Sequence, residues 1–190
     1  MKKISVVRLI AAAAVYAALF VLGASLGMIH PACYAYAGTV LPLLFAFTYL
    51  FAACSMRCFG AACVLNGVTL IAALAAGEGD IALIAGLIVL ALLAELVRGL
   101  NGYGTRKGVR RSFVPLAFSF YAYSAHWWTD TEGSLAAAAE EMPAGYAGKM
   151  ETVIGNVPLL IVMLVLTVPV AVLAMRLAEK ALKKQTASLK

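Results

Sequence analysis

Residues 9–29, LIAAAAVYAALFVLGASLGMI, form 21 consecutive positions without a charge, held between Arg8 and His30. Coiled as a helix at about 1.5 Å per residue, the run reaches the roughly 30 Å thickness of a bilayer's hydrocarbon core. A cleaved signal peptide carries only about 7–15 apolar residues and precedes a soluble protein. The remainder of this chain is not soluble in composition. The whole is 64% hydrophobic and 13% charged, with a mean hydropathy of +0.94, against about 45–50% and 25% for a soluble domain. The fold expected is therefore an all-α integral membrane protein in the cell membrane.

The same run repeats small residues at a spacing of four. Ala13 and Ala17, then Ala14 and Ala18, stack along the helix, and Gly23 and Gly27 continue the spacing. Small residues let a second helix come close where lipid gives apolar side chains no preference for one another. Packing inside the chain's own bundle and docking of a separate partner both use such a strip.

Further spans are expected at 39–56, 58–76, 81–97, 113–128 and 154–177, with an outer loop over 129–152. Pro42 falls in a first turn, where a missing N–H costs least, and Pro169 is expected to kink the last span. Within the loop, 134–142 (SLAAAAEEM) reads as a short helix capped by Ser134 and stopped before Pro143. One membrane domain then covers residues 1–190. Charge placement sets its orientation. With the N-terminus inside, 14 of the 15 basic residues are cytoplasmic: Lys2, Lys3, Arg8, Arg57, Arg98, Arg106, Lys107, Arg110, Arg111, Arg176, Lys180, Lys183, Lys184 and Lys190. Only Lys149 is outside, while Glu78, Asp80, Asp130, Glu132, Glu140, Glu141 and Glu151 are external. Basic residues stay cytoplasmic, so both termini are placed inside a six-transmembrane-helix bundle. The net charge of +6 thus serves topology, and no nucleic acid is expected as a partner.

Aromatic and polar residues gather at the outer ends of the spans. His30, Tyr34 and Tyr36 come after the first, Tyr121, Tyr123, His126, Trp127, Trp128 and Asp130 end the fifth, and Asn156 opens the sixth. Rings with polar tips suit a partly flat, partly polar ligand, although Trp and Tyr also form interfacial belts. The substrate-binding candidates are His30, Tyr34, Tyr36, Asn66, Tyr123, His126, Trp127 and Asn156. His30 either caps the first span or offers an imidazole to a metal or a haem iron. Asn66, in mid-membrane, needs a hydrogen-bond partner from a helix or a ligand. Glu95 and Arg98, three apart, are expected to pair. Four cysteines give no disulfide pattern, and 54–58 (CSMRC) lacks the second ligand pair of a zinc site.

The chain has no phosphate loop, no HExxH, no G-x-S-x-G and no paired intramembrane acids. It carries no recognisable engine, so binding is the function expected rather than catalysis, and the chain is not expected to be an enzyme.

A six-span protein with an outer aromatic site and an alanine-faced first helix resembles the substrate-binding S components of energy-coupling factor (ECF) transporters. More narrowly it is similar to the Trep_Strep, or MptD-like, family. The carrying stretches are 26–31 (LGMIHP), 56–60 (MRCFG), 102–107 (GYGTRK), 127–130 (WWTD) with Tyr146, and Lys183-Lys184. It departs at 185–190 (QTASLK) and in its richness in alanine. The resemblance implies partners: a transmembrane coupling protein and two ABC ATPases, with Ala13, Ala14, Ala17 and Ala18 as the coupling surface. It also implies a vitamin- or cofactor-like substrate. Haem is the sharpest candidate as transported ligand, with His30 as metal ligand in that case, and no intrinsic cofactor is expected. The rival readings are a stand-alone secondary transporter and a membrane enzyme using His30, His126 and Asp130.

Overall fold

A computed structural model describes residues 6–187 and 189, and among them every regular element is helical. Lys2, Lys3 and Lys190 of the charge argument lie outside the described residues. The first helix, α1 (Val6–Ser25), tightens into a 3-10 turn at Leu26–Met28. His30 then starts α2 (Pro31–Ala35), its Nδ1 accepting from the Ala32 N–H at 3.1 Å, with Pro31 at the first helical position. Next come α3 (Ala37–Val40), α4 (Pro42–Ser55) and α5 (Ala61–Ala75). Asp80 caps α6 (Ile81–Asn101), and Thr105 caps α7 (Arg106–Leu116). Two short helices come next, α8 (Ser119–Tyr123) and α9 (His126–Thr129), then α10 (Thr131–Glu141) and α11 (Tyr146–Ile154). Asn156 caps α12 (Val157–Ala181), and α13 (Lys183–Thr186) ends the succession.

Three of these are long and apolar enough to cross a membrane. They are α1 with its 3-10 turn (mean hydropathy 2.3), α6 (2.4) and α12 (2.8). The apolar helices α4 and α5 have 14 and 15 residues, about 21–23 Å of helix. The spans expected at 39–56 and 58–76 are shorter because the Leu41-Pro42 junction and the turn around Gly60 take residues from them. Gly60 sits at φ +122°, a backbone setting open chiefly to glycine.

The span expected at 113–128 is not one helix. Its first part belongs to α7, which starts in the basic stretch at Arg106. Pro115 lacks the N–H that would continue the ladder, and the chain tightens there, Phe118 N–H bonding Pro115 C=O at 3.2 Å. The path breaks again after Tyr123, bringing His126 and Trp127 onto a separate turn. The last span starts at Val157 and runs unbroken through Pro169 to Ala181. The section expected as an outer loop, 129–152, is largely helical. Its α10 starts three residues before Ser134, capped by Asp130, whose Oδ1 accepts from the Gly133 N–H at 3.3 Å. Pro143 stands just past its end, as the sequence requires.

Aromatic rings fill the interior. Phe20 stacks on Phe45 with centroids 5.0 Å apart, and Tyr16 and Phe120 close around them. Asn66 ties four helices together here. Its Oδ1 accepts from the Tyr16 and Ser119 hydroxyls, both at 3.1 Å, and its Nδ2 donates to Leu87 C=O at 2.9 Å. The surface is apolar instead of polar. On α12, Ile161, Val165 and Leu173 are exposed, as lipid-facing side chains are.

The two ends differ in charge. Arg106, Arg110, Arg176, Lys180 and Lys183 line one groove, where Arg110 pairs with Glu179 through Nε and Oε1 at 2.7 Å. Ala11 and Ala12 of α1 share a hollow with Leu182, so both ends of the described chain lie at this basic end. Glu95 and Arg98 are fully buried, and no ion pair joins them. Glu95 Oε1 accepts from the Ala62 N–H (2.7 Å) at the start of α5. Arg98 Nη2 donates to Ala53 and Met56 C=O (both 2.7 Å) at the end of α4, and to Tyr103 C=O at 3.0 Å. One helix thus caps both sides of the α4–α5 turn.

Candidate ligand-binding site

At the acidic end the chain encloses a cavity of about 430 Å³. Its position is set by the helix breaks. The end of α1 gives Ala24 and Gly27, α2 gives Tyr34, and the turn before α6 gives Glu78 and Asp80. From the broken path after α7 come Tyr123, His126 and Trp127. The helix α10 closes the space with Asp130, Ser134, Ala137, Ala138 and Glu141, and Tyr146 joins from the start of α11. Gly27 leaves room for this closure: a Cβ there would stand 3.2 Å from the Tyr146 hydroxyl.

The wall is aromatic and the rim carries carboxylates. Tyr34, Trp127 and Tyr146 are buried, whereas Glu78, Asp130 and Glu141 are exposed. Tyr34 and Trp127 meet edge to face, centroids 6.2 Å apart. His126 links wall to roof: Nδ1 lies 2.9 Å from the Ser134 hydroxyl, and Nε2 lies 3.5 Å from the Tyr34 hydroxyl. Burial first, then the nearby Glu78 carboxylate, raises the Tyr34 phenol above its usual range, and burial raises that of Tyr146. Both phenols therefore stay protonated and can donate. The Trp127 indole N–H is buried and, among the described residues, makes no hydrogen bond of normal geometry, approaching the Tyr34 hydroxyl, while that of Trp128 bonds Ile154 C=O at 3.2 Å.

Of the sequence candidates, Tyr34, Tyr123, His126 and Trp127 meet at this cavity. The other four lie elsewhere. His30 is exposed and caps α2, and Asn156 Oδ1 accepts from the Leu159 N–H at 3.1 Å as the cap of α12. Tyr36 donates to Val153 C=O at 3.0 Å, and Asn66 takes its partners from helices. In the sequence Glu78, Asp80 and Glu141 served only as topology signals and Asp130 stood with the outer aromatic cluster, and none of the four was among the substrate-binding candidates. Their signal was available: they share one end of the chain with the aromatic residues. Among the described residues no cluster of three His, Cys, Asp or Glu is set to hold a metal ion, and all four cysteines are free.

The small residues of α1 divide between two faces. Ala13 is buried, and a Cβ at Gly23 would come within 2.6 Å of both Phe120 and Leu41. Those positions pack the chain's own core. Ala14 and Ala18 face outward, with Ala17 partly covered between them.

No curated protein and no solved structure matches the chain. A family model described as a hypothetical bacterial integral membrane protein (Trep_Strep) matches residues 5–187. With apolar helices able to cross a bilayer, the chain fits the bacterial cell membrane. It belongs to the Trep_Strep family of bacterial integral membrane proteins.

Proposed function

We propose that this chain is the substrate-binding component of an ECF-type uptake system. It captures a vitamin- or cofactor-like small molecule at the outer face and hands it inward with a coupling protein and two ABC ATPases. In this reading α1, α3–α4, α5, α6, α7–α8 and α12 make six crossings, with the basic end and both termini cytoplasmic. The single observation that carries it is a division of labour along one helix. The outer end of α1 helps wall the cavity through Ala24 and Gly27, while Ala14 and Ala18 present a bare strip on its outward face.

A strip of methyl groups lets a partner helix approach closely without the hydrophobic drive that water would supply, which suits docking that must reverse. Haem as the ligand depends on His30, which lies off the cavity with Nδ1 already engaged. The uptake role stands without haem.

The test is uptake against binding. In the native host, the tagged chain is expected to copurify with a coupling protein and ATPases. Ala14→Leu with Ala18→Leu is expected to lower uptake at least tenfold and to release those partners, leaving the isolated protein's thermal stability unchanged. Full uptake by the double variant, or ion-gradient-driven uptake by proteoliposomes holding the chain alone, would overturn the coupling role.

A further inference from the structure

We propose that the outer cavity selects a cation: a small molecule with a flat ring system, a fixed or protonated positive charge, and a hydrogen-bond acceptor. This rests on the cavity being the ligand site of the function proposed above, and it adds the charge class of the ligand.

The sign of the cavity runs against the sign of the chain. Basic residues outnumber acidic ones 15 to 9 overall, yet four of the nine acids line this space and, among the described residues, no Lys or Arg does. Asp80 and Asp130 each spend one oxygen capping a helix, on Leu83 N–H at 2.9 Å and Gly133 N–H at 3.3 Å. Glu78 and Glu141 make no ion pair among the described residues. Like charges converging on a concave, low-dielectric wall focus the field at its mouth and concentrate ions of the opposite sign there. Below the rim stand Tyr34, Tyr123, Trp127 and Tyr146, and ring faces attract cations within about 6 Å of the centroid.

An acidic rim alone would be a solvated outer surface. The second observation is the Trp127 indole. Its residue is only 6% exposed and, among the described residues, its N–H makes no hydrogen bond of normal geometry, the Tyr34 hydroxyl being the polar group it approaches in the wall. A buried donor without a partner costs about 1–3 kcal/mol, and a ligand atom with a lone pair removes that cost. The ligand therefore brings an acceptor for Trp127 as well as a positive charge for the carboxylates. An anionic ligand, including one with propionate arms, meets repulsion at the rim.

The experiment uses the full chain in phosphatidylcholine nanodiscs, with empty discs subtracted, and three matched probes at pH 7.5. These are N-methylquinolinium (cation), quinoline (neutral) and quinoline-4-carboxylate (anion), titrated calorimetrically. The cation is expected to bind at least tenfold more tightly than the neutral ring, and the anion not at all. Glu78→Gln with Glu141→Gln is expected to remove most of that advantage, read as the ratio of N-methylquinolinium to quinoline affinity. Trp127→Phe is expected to weaken quinoline, which offers a ring nitrogen as acceptor, more than N-methylquinolinium, which loses only part of the ring-face attraction. Equal affinities for cation and neutral ring, tighter binding of the anion, or no cation binding up to millimolar concentration would overturn the proposal. Charge-selective binding without ECF partners would sink the uptake reading alone, and partner-dependent uptake without charge selectivity would sink this inference alone.

Discussion

Arg98 shows how a charge becomes a structural part inside an apolar bundle. Its Nη2 holds two carbonyls at the end of α4 and the Tyr103 carbonyl, while the Tyr103 ring lies under the guanidinium at 5.6 Å. Arg98→Leu leaves those carbonyls without a donor, and each buried unsatisfied group costs about 1–3 kcal/mol. A loss of about 3 kcal/mol is expected, read as a lower unfolding midpoint in detergent. Glu95→Gln keeps an acceptor for Ala62 N–H and is expected to cost much less. The sequence announced both residues but misassigned their partners, because spacing along one helix says nothing of the backbone ends another helix delivers. Asn66 was the reverse case. A mid-membrane amide must be satisfied, and its three bonds to Tyr16, Ser119 and Leu87 are of the kind that rule demands.

Among the elements, α1 carries two surfaces that a spacing rule cannot tell apart. Gly23 faces Phe120 and Leu41 at distances that leave no space for a larger residue, whereas Ala18 faces outward. Gly23→Val is therefore expected to destabilise the isolated protein by about 1–3 kcal/mol through overpacking, and Ala18→Leu is not. Thermal unfolding of the two purified variants separates them. Long uncharged runs made α1, α6 and α12 legible in the sequence, with errors only at their ends. The path from α7 to α9 was not legible. Its residues are apolar enough to read as one span, and only Pro115 hinted at the break. That break is what turns Tyr123, His126 and Trp127 toward α10, so the best part of the cavity was the part periodicity hid.

At the scale of the whole molecule the two ends form a charge couple: carboxylates around the cavity, and arginines and lysines along the groove of α7, α12 and α13. In the proposed topology, cytoplasmic retention of basic residues points the cavity of this couple outward. Reporter fusions are expected to place residue 187 inside and residues 78 and 132 outside, and a terminus found outside would invert the proposed direction of capture. The aromatic end, with Asp130, was legible in the sequence, but the other acids there were counted only as topology signals. Net charge per end can be read along a chain, whereas charge per concave surface exists only once the chain is folded.

The chain has two tryptophans, and they are neighbours. The Trp128 N–H is bonded to Ile154 C=O, while that of Trp127 waits in the cavity wall. Both indoles of the molecule thus stand together, Trp127 in the chamber wall and Trp128 beside it. Filling or emptying the chamber is therefore expected to change the ultraviolet glow of the unlabelled protein, a built-in gauge that a transport assay would otherwise have to attach.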